Sequence, residues 1–225
     1  MQTMNISQAL ITASDQLDRG NLEYCEQILA KVLRADPSNA DGLHLMSMVS
    51  YKRGRLDSAI DFNKRASRQA PDNPTLLNNL GNFLKDKGDL AASRQAYERA
   101  LGLDPACFPA QYNLALVLSA QGDREAAIRA LKRARLLKGD YPYIHHHLGL
   151  ELLACGRSEE AIASLEKALE GLPGEAGLAT REALAAAFYS LDRHDCALRE
   201  YEALAESGVE SEIVASRLIE LRKTQ

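Results

Sequence analysis

Apolar positions along this chain recur at threes and fours in two short stretches, a turn separates them, and the arrangement then starts again. Between Pro74 and Cys107, Leu77, Leu80, Gly81 and Leu84 follow helical spacing up to Lys87, where Gly88-Asp89 interrupts the pattern. A second stripe of Leu90, Ser93, Tyr97, Ala100 and Leu101 follows, which predicts an antiparallel helical hairpin closed by a short turn. Gly20, Gly54, Gly88, Gly122 and Gly156 stand 34 residues apart and set five such hairpins in register. A lone hairpin cannot bury both of its faces, so stacking has to supply the missing partner.

Columns aligned on those glycines sharpen the unit. Five residues downstream every residue is small: Cys25, Ala59, Ser93, Ala127 and Ala161. Seven residues upstream lies another small column, Ala13, Ser47, Gly81, Ala115 and Gly149, preceded by the mostly apolar Thr12, Met46, Leu80, Leu114 and Leu148. Small residues let paired helices approach closely, so these columns are expected to meet inside each hairpin. Pro37, Pro71, Pro105 and Pro173, with Gly139 in the remaining place, are read as closing the second helices.

This pattern resembles the tetratricopeptide repeat family. The run NNLGNFLKDKGDLAASRQAYERALGLDP, Asn78 to Pro105, carries nearly the whole family pattern, and the resemblance covers roughly Ile6 to Ser207. It implies an all-α, right-handed superhelical solenoid, one domain over residues 1–225, with repeats at about 6–39, 40–73, 74–107, 108–141 and 142–175. A degenerate sixth repeat over 178–207 puts Ala185, Ala197 and Tyr201 in the small and aromatic columns but has Asp192 where glycine is expected. The stretch 210–224 reads as a capping helix with Ile213, Leu218 and Leu221 on its apolar side.

Charge and composition narrow the function. The 27 basic residues are scattered among 31 acidic ones for a net charge of -4, so no basic stripe marks a nucleic-acid partner. The N-terminus lacks a secretory pattern and no segment has the apolar run of a membrane span, which predicts a cytoplasmic chain without a membrane partner. Cys25, Cys107, Cys155 and Cys196 form no C-x-x-C pair and are read as reduced, structural cysteines.

Candidate chemistry is sparse. His145, His146 and His147 are consecutive, so on a helix they splay by about 100° each and do not converge on a metal. His145 occupies the column of Leu43, Leu77 and Gln111 and is expected to be structural, with His146 and His147 on the groove side. His194-Asp195 has no nucleophile motif beside it, and no phosphate-binding, dinucleotide-binding or zinc-protease signature occurs. The chain is therefore read as non-catalytic and without a cofactor. Asn63 stands in the column of Leu29, Tyr97, Leu131 and Leu165. It either bonds to Ser50, itself in a leucine column, or softens the joint between the second and third hairpins.

The family resemblance implies a concave groove lined by first helices. The expected groove residues are Met48, Tyr51, Asn78, Asn79, Asn82, Tyr112, Asn113, Leu116, Tyr143, His146, His147 and Leu150. Asn79 and Asn113 share a column with His147, which is similar to the asparagine ladder of tetratricopeptide domains in protein O-glycosyltransferases; alternatively these amides serve the hairpins themselves. Asn82 and Asn113 also match the asparagines of the carboxylate clamp of co-chaperones, but Asn78, Tyr143 and His147 stand where its cations belong. Protonated His147 is expected to contribute there below a pKa near 6.5. The expectation is an interaction scaffold holding an extended peptide or partner helix, or else the substrate-recruiting arm of a glycosyltransferase or sulfotransferase system. Self-association through the solenoid ends is a further expectation.

Overall fold

The computed structural model describes residues 5–209 and 211–223. Among them are thirteen α-helices: α1 Ile6–Asp18, α2 Leu22–Ala35, α3 Ala40–Lys52, α4 Leu56–Gln69, α5 Pro74–Asp86, α6 Leu90–Leu103, α7 Phe108–Ala120, α8 Arg124–Leu137, α9 Pro142–Ala154, α10 Ser158–Leu169, α11 Gly174–Ser190, α12 His194–Glu206 and α13 Glu212–Arg222. Glu210 and Thr224, the ends of the expected cap, lie outside the described residues.

The glycine interval has a backbone cause. Gly20, Gly54, Gly88, Gly122 and Gly156 all take φ between +73° and +86°, where a side chain is strained. The residue after each glycine sends its N–H back five positions, as in Arg55 to Ser50 O and Asp89 to Leu84 O, both 2.9 Å. The sixth turn makes the same bond, Arg193 to Phe188 O at 3.0 Å, with Asp192 forced to φ +57°. The geometry thus survives loss of the glycine, and aspartate is among the residues that tolerate it best. Helix starts are fixed by side chains: Asn39 accepts from the Gly42 N–H, Asn73 from Thr75, Asp89 from Ala92 and Asp123 from Ala126.

The helices group into two compact units, Met1–Asn113 and Leu114–Gln225. In the first unit the small columns meet as expected. Ser93 Oγ donates to Gly81 O at 2.7 Å, and Cys25 Sγ lies 3.2 Å from Ala13 O at the equivalent point of the first hairpin. Gly81 is required, since a Cβ there would stand 2.4 Å from the Tyr97 ring. A second buried stripe, absent from the sequence reading, joins successive hairpins: Leu76 packs with Leu43 and Ala66, and Phe83 with Ala59 and Ile60. The first helices are therefore buried on two sides.

In the second unit a Cβ on Gly149 would lie 2.5 Å from Leu165, repeating the close approach. Three sequence expectations change here. Pro173 is the N-cap of α11 and does not close α10, which ends at Leu169. α11 begins at Gly174, ahead of the expected Leu178, and runs for 17 residues. On α13 the buried residues are Val214 and Leu221, whereas Ile213 is 59% exposed, because the face turned to α12 is rotated from the one the apolar pattern suggested.

Candidate protein-binding surface

The residues of the first unit expected to line a groove come from α3, α5 and the start of α7, and they form a side-chain network. Asn113 Nδ2 donates to Asn82 Oδ1 at 3.0 Å and more weakly to Asn78 Oδ1 at 3.5 Å. The Tyr97 hydroxyl, rising from α6, donates to the same Asn82 oxygen at 2.6 Å. Asn79 Nδ2 lies 2.9 Å from His44 Nε2, whose proton affinity burial lowers. The Tyr51 hydroxyl donates to Asp86 and its ring leans on Phe83 at 4.8 Å. Met48 packs against the clusters on either side of it, and Tyr112 stacks on Phe108 at 6.1 Å.

Two of these four amides, Asn79 and Asn113, thus commit their nitrogens within the chain, and Asn78 and Asn82 accept through their oxygens. Asn78 does not belong to the exposed face, being 9% accessible, and its side-chain partner among the described residues is Asn113 of the following hairpin. Asn79 and Asn113 remain half-buried, and their side-chain carbonyl oxygens have no partner among the described residues. A bonded amide nitrogen fixes the plane of the group, so each free oxygen is held in one orientation.

Asn63 departs from the expected bond to Ser50. Its side chain is fully buried and both amide atoms are unpaired. Tyr97 fills the equivalent place one hairpin later.

In the second unit His145 is structural, as its column suggested: it is buried, with Nε2 2.8 Å from Gly139 O. His146 Nδ1 lies 2.7 Å from the Thr180 hydroxyl of α11, and its ring meets that of His147 edge-on at 5.0 Å. Burial, with a smaller push from His146, brings the His147 pKa down to about 4. His147 is consequently neutral near pH 7 and does not replace the missing clamp cation. Tyr143 is 40% exposed beside Tyr141, and Leu116 and Leu150 are half-buried.

Sequence reading also missed Glu151. It is a buried carboxylate that accepts from the Ser119 hydroxyl at 2.5 Å and pairs with Arg124 at 3.2 Å. The signal was its position, a charge in the column of Val49, Phe83 and Val117.

Family models of the tetratricopeptide repeat match residues 12–74, 84–148 and 142–170. The chain belongs to the tetratricopeptide repeat family. The matched segments of this tetratricopeptide repeat chain stop short of the sixth hairpin, where the glycine column fails. A curated relative, the Protein CTR9 homolog of Arabidopsis thaliana, is 31% identical over 90 residues, and the match spans 40% of this chain but 8% of that protein. Among solved structures, pilF of Pseudomonas aeruginosa superposes with a TM-score of 0.80 at 19% identity, covering 98% of this chain and 97% of pilF. PilW, a type IV pilus biogenesis factor, gives 0.77 at 19%, covering 96% and 99%. MamA gives 0.66 at 25%, covering 70% and 92%. These likenesses establish an all-α solenoid of tetratricopeptide type. No helix among the described residues is long and apolar enough to cross a membrane.

Proposed function

We propose that this chain is a protein-interaction scaffold that holds an extended peptide against its first helices. Membership of the tetratricopeptide repeat family supports the scaffold role. The observation that carries the peptide reading is the pair of oriented carbonyls on Asn79 and Asn113, one repeat apart in the same column. With their nitrogens already bonded, these groups act as acceptors for peptide N–H groups and read backbone without reading sequence. Side-chain preference would come from Tyr112 in the first unit and, separately, from Tyr143 in the second, because tyrosine adds large contact area at small entropic cost.

The test is capture of partners by wild-type protein and by Asn79→Ala/Asn113→Ala. The double variant loses its partner under this reading. Unchanged capture moves the site elsewhere.

A further inference from the structure

The chain is net acidic, yet in one part of its first unit four cations gather with Asp61 the one carboxylate paired to any of them among the described residues. Lys64, Arg65 and Arg68 share one side of α4, and two clefts flank them. The first, about 290 Å³, has Lys64, Arg68 and Arg99 of α6 around Pro71 and Leu80, with Leu77 all but buried in its wall. The second, about 460 Å³, has Arg65 and Arg68 beside Pro37, with Leu43 all but buried in its wall. No acidic residue lines either cleft.

Internal pairing does not account for these charges. Arg65 lies 3.8 Å from Asp61 and over the Phe62 ring, and donates weakly to Pro37 O, but Lys64, Arg68 and Arg99 make no ion pair among the described residues. Arg68 sits in the last turn of α4, where it offsets the helix dipole. That explanation does not extend to Lys64 one turn earlier or to Arg99 on another helix.

We propose that the clefts flanking α4 dock an acidic protein segment bearing apolar side chains. Its carboxylates pair with Lys64, Arg65, Arg68 and Arg99, and its apolar side chains settle on Pro37, Pro71 and Leu80. No aromatic face lines the clefts for stacking a base, which favours protein over nucleic acid.

Fluorescence anisotropy with a short fluorescein-labelled peptide rich in glutamate and leucine tests this on the full chain. The wild type binds, binding weakens as salt is raised, and Arg68→Glu/Arg99→Glu weakens it about tenfold or more. Arg129→Glu, an exposed change on α8, leaves binding unaltered, and the loss caused by Arg68→Glu/Arg99→Glu persists in an Asn79→Ala/Asn113→Ala background, so failure here is separable from failure of the carbonyl reading. Helical circular dichroism confirms that the variants are folded. The proposal is overturned if Arg68→Glu/Arg99→Glu binds like wild type. Equal binding of a glutamate peptide without leucine, or of a single-stranded oligonucleotide, overturns it too.

Discussion

The second and third hairpins, α3–α4 and α5–α6, share lengths, turns and register but fill two facing columns differently. In the third, the Tyr97 ring covers Gly81 and its hydroxyl reaches Asn82, which in turn receives Asn113. In the second, Ser47 and Asn63 take the places of Gly81 and Tyr97, and Asn63 ends with two unpaired buried atoms. The same backbone therefore supports a closed contact leading to Asn82 and Asn113 in one hairpin and an unsatisfied polar core in its neighbour. Register fixes where helices lie; the residue in one column decides whether the surface above it is held.

Gly81→Val breaks the tighter of the two most severely. The new side chain cannot fit beside Tyr97, and a loss of about 3 kcal/mol is expected in chemical denaturation. Asn63→Leu runs the comparison the other way. Replacing an unpaired buried amide with the column's usual leucine should raise stability by about 2 kcal/mol, and a lower or equal denaturation midpoint would mean that Asn63 has a bonding partner after all.

Tyr97→Phe keeps the ring and deletes the bond to Asn82, so a cost of about 1 kcal/mol is expected. It should also weaken partner capture, since Asn113 is then less firmly held. Partner affinity that survives the change would uncouple α6 from the amides. The smallest effect concerns the link between the hairpins. Burial lowers the pKa of His44, so its contribution is complete above about 6.5 and declines as pH falls below that value. Protection factors of the α3 amides, corrected for the intrinsic exchange rate at each pH, should fall on acidification in wild type and change less in His44→Gln.

Much of this was legible in the chain itself. The glycine interval reports a left-handed turn that most side chains resist, and the small columns report close helix contact, so hairpins, register and the place of His145 follow from residue size alone. Asn63 announced itself as a polar residue in an apolar column, although its lack of a partner did not. Contacts between hairpins were harder to read, because they depend on how units pack. The apolar column of Val49, Phe83 and Val117 carried that signal, whereas Asn78 lies on another side of α5 and its burial had no such mark. Bonds such as Asn79 to His44 join residues 35 positions apart, and only the folded geometry pairs them. The neutral state of His147 likewise follows from burial, which residue type alone does not reveal.

A peptide array probed in parallel with wild-type protein and Asn79→Ala/Asn113→Ala tests most directly whether oriented side-chain carbonyls hold peptide backbone. Broad loss of signal across peptides of unrelated sequence is the expected result, because the lost contacts are to backbone. An unchanged pattern, or loss confined to peptides sharing one side-chain motif, would contradict it.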